Sequence, residues 1–178
     1  MPELVRSVSV STRAPRSGER AGADYRFVTP AIFTRMRARR EFLEWARVHQ
    51  ADYGTLARPV RAALARGRDV MLSIDVQGAQ QIRRRLGRQA VLIFLLPPSM
   101  RALKRRLIRR HTDSREAIAR RLEAARREMA HARMYDYIVV NQELATAVED
   151  TAAIVTAERL RAGRHKGESW LRHRLKSS

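Results

Sequence analysis

The sequence predicts an α/β protein: a parallel sheet flanked by helices, with a small mixed-sheet lobe attached. Three observations predict it. The middle and last thirds hold three near-continuous apolar runs, VMLSIDV (Val70 to Val76), AVLIFLL (Ala90 to Leu96) and YIVVN (Tyr137 to Asn141), as expected for strands buried on both faces. Segments with helical apolar spacing alternate with these runs, which is the order of a parallel sheet with crossover helices. The first third instead carries more polar, alternating stretches, and these fit a separate small sheet.

Each element follows from local chemistry. Ser7 to Arg16 alternates and then turns at Pro15 and Gly18, giving a strand and a polar loop. Asp24 to Thr29 is a second short strand. Thr29 followed by Pro30 supplies an N-cap and a first-turn proline for a helix running to about Arg40. Glu41 to His49 is a strand in which Phe42, Glu44, Ala46 and Val48 share one face, setting a carboxylate among apolar neighbours. Pro59 to Arg66 reads as a helix closed by Gly67, and Ala79 to Leu86 as one closed by Gly87. Pro97 and Pro98 stop the second apolar run, and Ser99 caps the next helix, whose apolar positions include Leu103 and Leu107. Asp113 with Glu116 resembles a capping box for a helix with Ile118, Leu122, Ala125 and Met129 on one face. Glu116/Arg120 and Glu123/Arg127 are i,i+4 pairs on it. A final helix spans Leu144 to Leu160, before a basic tail over 161–178.

Composition excludes several classes. There is no cysteine among the 178 residues, so disulfides, thiolate metal sites and a cysteine nucleophile are ruled out, and a reducing cytoplasm fits. No apolar run is long enough to span a bilayer, and the opening MPELVRSVSVS lacks the apolar block of a signal peptide, so no membrane partner is expected. Lys+Arg is 37 and Asp+Glu 18, a formal charge of +19 that attracts polyanions in general. A nucleic-acid partner is disfavoured, because only 6% of residues are aromatic and no nucleic-acid motif occurs. The five histidines, His49, His111, His131, His165 and His173, show no metal-ligand spacing.

The residues with chemistry cluster early. Arg13 and Arg16 lie three apart around Pro15, so two guanidinium forks on one turn can grip a phosphate dianion. Tyr25 and Tyr53 can each donate a phenolic hydrogen bond to it. Glu44 is a natural acceptor for guanine, which offers adjacent N1–H and N2–H₂ donors where adenine offers no such pair. Ser9 and Thr55 can donate to guanine O6. Taken singly, the arginines also read as solvated surface, the tyrosines as half-buried strand aromatics and Glu44 as a solvent-facing strand residue.

Joined in order, SVSVSTRAPRSGE, DYRFV, EFLEWA, DYGT, IDVQGAQQIR, FLLPPS and YDYIVVN resemble guanylate kinases over essentially the whole chain. The resemblance implies a P-loop-kinase-like fold with a GMP-binding lobe over 7–57, an α/β core over 58–104 and 136–160, and a lid region over 105–135. It implies the reaction ATP + GMP → ADP + GDP with Mg²⁺, in a cytoplasmic protein of purine nucleotide metabolism whose oligomeric state stays open. By residue matching it places Arg13, Arg16, Tyr25 and Tyr53 on the phosphate and Ser9, Glu44 and Thr55 on the guanine, with Asp75 near the substrate. Arg106, Arg110 and Arg121 match the lid and catalytic arginines, with Arg110 also on the ATP side, and Asn141 matches a contact to ATP's adenine side.

The chain also departs from that pattern. The opening strand and the P-loop motif GxxxxGK[ST] are not found in the sequence, so an N-terminally incomplete chain lacking the first strand is expected. Ser73-Ile74-Asp75 stands where the family has two acids. Arg109-Arg110-His111 replaces a Gly-Arg-Gly turn, and QADYGT replaces a Gly-Asn-Tyr-Tyr type of loop. The alternative is therefore a guanylate-kinase-like protein that binds GMP, or serves as a scaffold, without catalysis.

Overall fold

Strand pairing gives the architecture of the computed structural model, which describes residues 3–48, 50–109 and 114–162. The described elements run β1 (Leu4–Arg6), β2 (Ser9–Ser11), β3 (Tyr25–Phe27), α1 (Pro30–Ala38), β4 (Phe42–Val48), β5 (Ala51–Leu56), α2 (Ala57–Ala65), β6 (Asp69–Met71) and α3 (Val76–Leu86). They continue with β7 (Ile93–Leu96), α4 (Met100–Arg109), α5 (Arg115–Met129), β8 (Tyr137–Val140) and α6 (Leu144–Leu160). The chain divides at Gly87/Arg88 into two compact units.

The first unit holds two sheets. One is four-stranded, in the order β3-β2-β5-β4, with β2 parallel to β3 and antiparallel to β5, and β4 antiparallel to β5. The other pairs β1 with β6 in parallel. Helix α1 begins as the sequence predicts: the Thr29 side chain accepts from the Ile32 amide at 3.3 Å and Pro30 opens the first turn. The helix turns Phe33 and Met36 onto the four-stranded sheet, where with Val10 and Phe42 they form a buried cluster. Phe33 and Phe42 stack at 4.6 Å between ring centroids.

In the second unit β7 and β8 pair in parallel, Ile93 with Tyr137 through Leu96 with Val140. The Asp136 side chain accepts from the Leu92 amide at 2.8 Å and aligns the two strands at their start. Tyr137 donates from its hydroxyl to Glu158 at 2.7 Å, tying β8 to α6. Ser99 caps α4 through the Ala102 amide at 3.1 Å.

Several expectations are corrected. The strand expected over Val70 to Val76 stops at Met71, because Asp75 caps α3 and Val76 already belongs to that helix. The apolar runs are not buried on both faces: Met71, Leu95, Ile138 and Val140 are exposed. The reason is that, among the described residues, β6 pairs only with β1 and β7 only with β8, so each of these sheets has two strands. Phe42 does not share the face of Glu44, Ala46 and Val48, because the β4–β5 register shifts between Phe42 and Glu44; one extra residue turns Phe42 to the opposite side. In place of a loop, ADYGT belongs to strand β5. Ser114 caps α5, accepting from the Ala117 amide at 3.2 Å; Asp113, expected in that role, lies outside the described residues.

Candidate active site

The first unit contains a cleft of about 230 Å³ bounded by Ser9, Tyr25, Glu44, Ala46, Val48, Tyr53, Gly54, Ser73, Ile74 and Asp75. Its floor is β4. That strand lies at the edge of its sheet, so one row of its backbone groups has no strand partner. Helix α3 supplies the partners through a stripe of residues four apart. Gln77 Nε2 donates to the Arg47 carbonyl at 3.3 Å. Gln81 Nε2 donates to the Trp45 carbonyl at 2.6 Å, while its Oε1 accepts from the Trp45 amide at 3.3 Å. Arg85 Nη1 donates to the Phe42 carbonyl at 3.0 Å and also to that of Leu43. The strand that carries Glu44 is thus clamped by β5 on one edge and by α3 on the other.

Glu44 is 3% exposed. Burial pushes its carboxyl above the ordinary carboxylate range and the nearby Asp75 charge adds to the rise, while Thr55 and Arg85 pull the other way. Thr55 is its cross-strand neighbour. It is wholly buried and does not line the cleft. Its hydroxyl lies near enough to Glu44 to steady the charge, yet no partner meets Oγ1 at hydrogen-bonding geometry. A buried polar atom without a partner costs about 1–3 kcal/mol, so such atoms are rare and call for a reason. Asp75 stands at the cleft wall but is already engaged: it accepts from the Gly78 amide at 2.9 Å and from Gln77 Nε2 at 3.0 Å.

The cationic end is built from the loop after β2. Arg13 stacks 4.8 Å above the Tyr25 ring and 5.4 Å from the Phe27 ring. Tyr25 and Tyr53 meet edge to face at 6.0 Å. Arg13 also grips Glu19 with both ends of its fork, Nη1 to Oε2 at 2.7 Å and Nη2 to Oε1 at 2.6 Å. This pairing raises the pKa of Arg13 and, with the Arg16 amide donating to Glu19 at 2.8 Å, holds the Glu19 carboxyl down at about 2. Arg16 itself is exposed, and its charge also helps to hold the Glu19 carboxyl down.

The structure therefore gathers Ser9, Tyr25, Glu44, Tyr53 and Asp75 around one cleft, sets Arg13 on Tyr25 and Thr55 behind Glu44, and leaves Arg16 exposed on the loop. In the second unit, Arg106 donates to the Gln142 carbonyl at 2.9 Å, next to Asn141, whose amide donates to the Leu96 carbonyl at 2.8 Å. Asn141 thus follows the carboxyl end of a parallel strand, the usual place for a ligand in such sheets. Arg121 lies on the half-buried stripe of α5. Arg110 lies outside the described residues. Sequence reasoning missed Glu19 and the Gln77-Gln81-Arg85 stripe. The i, i+4, i+8 spacing of the stripe is visible in the sequence, but its role depends on the edge position of β4.

An acceptor-only group buried at one end of a cleft and an arginine-bearing loop at the other, on an α/β frame, define a nucleotide-binding protein. Comparison with known proteins narrows this. The profile of the family described as Guanylate kinase matches residues 3–158. A guanylate kinase of Syntrophotalea carbinolica is 47% identical over 168 residues, covering 94% of this chain and 80% of the relative. One from Nitrosomonas europaea is 52% identical over 158 residues, covering 89% and 78%. The crystal structure of guanylate kinase from Anaplasma phagocytophilum superposes with a TM-score of 0.83 at 34% identity, covering 99% of this chain and 85% of that one. The chain belongs to the guanylate kinase family, whose members are nucleoside monophosphate kinases. No described helix is long and apolar enough to cross a membrane.

Proposed function

We propose that the chain binds GMP in the cleft of its first unit and serves the transfer of a phosphoryl group from ATP to it, giving GDP and ADP. The observation that carries the reading is the buried Glu44 carboxylate on the floor of the cleft. Guanine supplies what this end of the cleft lacks: N1–H and N2–H₂ donate to Glu44, and O6 accepts from the Ser9 hydroxyl, while Thr55, buried behind Glu44, steadies the carboxylate. Adenine would set its N1 lone pair against the carboxylate. Arg13, Arg16, Tyr25 and Tyr53 take the phosphate at the other end. Its attacking oxygen is ionised at neutral pH, so the chemistry asks for alignment and charge neutralisation rather than a general base.

On the donor side the reading assigns Arg110 and Asn141 to ATP, with Arg106, Arg110 and Arg121 as the lid and catalytic arginines. ATP supplies the phosphoryl group, and Mg²⁺ neutralises its phosphates. The described residues contain no group of three His, Cys, Asp or Glu side chains placed to hold a metal. Titration calorimetry with GMP and AMP tests the base reading, and ADP release in the presence of ATP, Mg²⁺ and GMP tests transfer. Equal affinity for GMP and AMP would overturn the assignment of Glu44. GMP binding without ADP release would favour the non-catalytic, GMP-binding alternative.

A further inference from the structure

We propose that Gly78 is a specificity-determining residue: the missing side chain at the third position of α3 is what holds the Glu44 carboxylate at guanine-reading depth. The inference rests on the assignment of Glu44 to the base and deepens it.

Space is the first constraint. A Cβ placed on Gly78 would lie 2.5 Å from Glu44 Oε2, 3.2 Å from Glu44 Cδ and 3.2 Å from Ile74 Cβ. The first distance is well inside van der Waals contact, so one partner has to move. Gly78 cannot: its amide is fixed by the Asp75 cap at 2.9 Å and its backbone sits in the first turn of an 11-residue helix. Nor can β4, clamped to α3 through Gln77, Gln81 and Arg85. What remains free is the end of the Glu44 side chain. An alanine at 78 would therefore push the carboxylate away from α3 and into the cleft that the base is to occupy. A displacement on the order of an ångström decides whether two parallel hydrogen bonds form.

Glycine has no local reason to stand here. It is a poor helix residue, about 1 kcal/mol worse than alanine in a helix interior. Gly78 is in ordinary helical backbone, unlike Gly18, Gly22, Gly67 and Gly87, which have positive φ. The helical penalty is thus offset by the close approach of a charged side chain. The approach also sets the carboxylate beside the amino end of a helix, whose dipole favours an anion and so opposes the burial that raises its pKa.

The test is the affinity of the full chain for GMP and AMP in wild type, Gly78→Ala, Glu44→Asp and the double variant. Gly78→Ala is expected to weaken GMP at least tenfold and AMP less than twofold, abolishing base preference while keeping the phosphate grip. Glu44→Asp shortens the side chain by one methylene and should relieve the clash. The double variant is then expected to bind GMP more tightly than the product of the two single effects. A wild type that prefers GMP, with Gly78→Ala keeping that preference or losing GMP and AMP alike, overturns the role of Gly78 alone. A wild type without preference overturns the base reading and this inference together. If Gly78→Ala fails to fold but the double variant folds, the clash is shown directly; if neither folds, Gly78 is merely structural and the proposal fails.

Discussion

Replacing Glu44 by glutamine should make the free protein more stable and the GMP complex much weaker, an opposition that only a binding role explains. The carboxylate is 3% exposed, and burial is the largest cause of its raised pKa. A carboxyl whose folded pKa exceeds its unfolded value contributes stability that is present below the unfolded value and is lost as pH rises through the folded one. At pH 7 the fold therefore carries the cost of a buried charge, about 1.4 kcal/mol for every tenfold weakening of the acid. Glutamine has nearly the same shape and no charge, so the variant's Tm should exceed wild type at pH 7, with the gain vanishing near pH 4. Binding runs the other way. Two hydrogen bonds from guanine to an ionised acceptor contribute about 1.5–3 kcal/mol each. Glutamine offers one acceptor and points an NH₂ at a donor, so the loss should reach about 3 kcal/mol or more, over a hundredfold in Kd. Calorimetry with GMP and thermal melts at pH 4 and pH 7 measure both. In wild type, GMP affinity should also fall as pH drops through the raised pKa of Glu44. A variant that binds GMP as wild type does, or one less stable at pH 7, would refute the reasoning.

The phosphate end gives a complementary expectation. Arg16→Ala should weaken GMP by about 10- to 100-fold, the loss of charge-assisted bonds, and leave guanosine affinity unchanged in the same titrations. The Arg13–Glu19 pair should contribute stability above pH 4.5, lost as pH falls toward about 2, because the Glu19 carboxyl is held low. Acid unfolding followed by circular dichroism should therefore lose part of its slope in that window in Glu19→Gln. Phe33→Ala empties the centre of the first unit's core, where Phe33 is 2% exposed, and should cost about 3–5 kcal/mol in denaturant melts.

Much of the fold is legible in the sequence because its signals are local. Thr29-Pro30 marks the start of α1, and α6 spans Leu144–Leu160, the helix expected there. Readings fail where a second segment decides the outcome. The bulge between Phe42 and Glu44 is a fact of pairing with β5, and no alternation within EFLEWARVH reveals that Phe42 turns away from Glu44. Asp75 reads as a strand residue because its neighbours are apolar. Its carboxylate, placed three residues before Gly78, caps a helix instead, and local capping overrides the run of hydrophobicity.

The same division explains why the two ends of the site differ in legibility. The phosphate end is written in residue types: two arginines and two tyrosines can be picked out of the sequence, and only their partners, such as Glu19, need coordinates. The base end is written in placement. A glutamate in a strand is ordinary until α3 clamps that strand through Gln77, Gln81 and Arg85, Thr55 comes behind it to steady the charge, and the helix approaches so closely that a methyl group at position 78 would displace the carboxylate. Removing the guanidinium of Arg16 should therefore weaken every nucleoside monophosphate alike, whereas adding one methyl at Gly78 should weaken only the guanine one. Substitutions on the β4–α3 clamp should fall in the second class, because they move Glu44 without touching the phosphate. Gln81→Ala, which removes both bonds to Trp45, is the mildest change that separates the two classes, and it should reduce the GMP-to-AMP preference while AMP affinity stays constant.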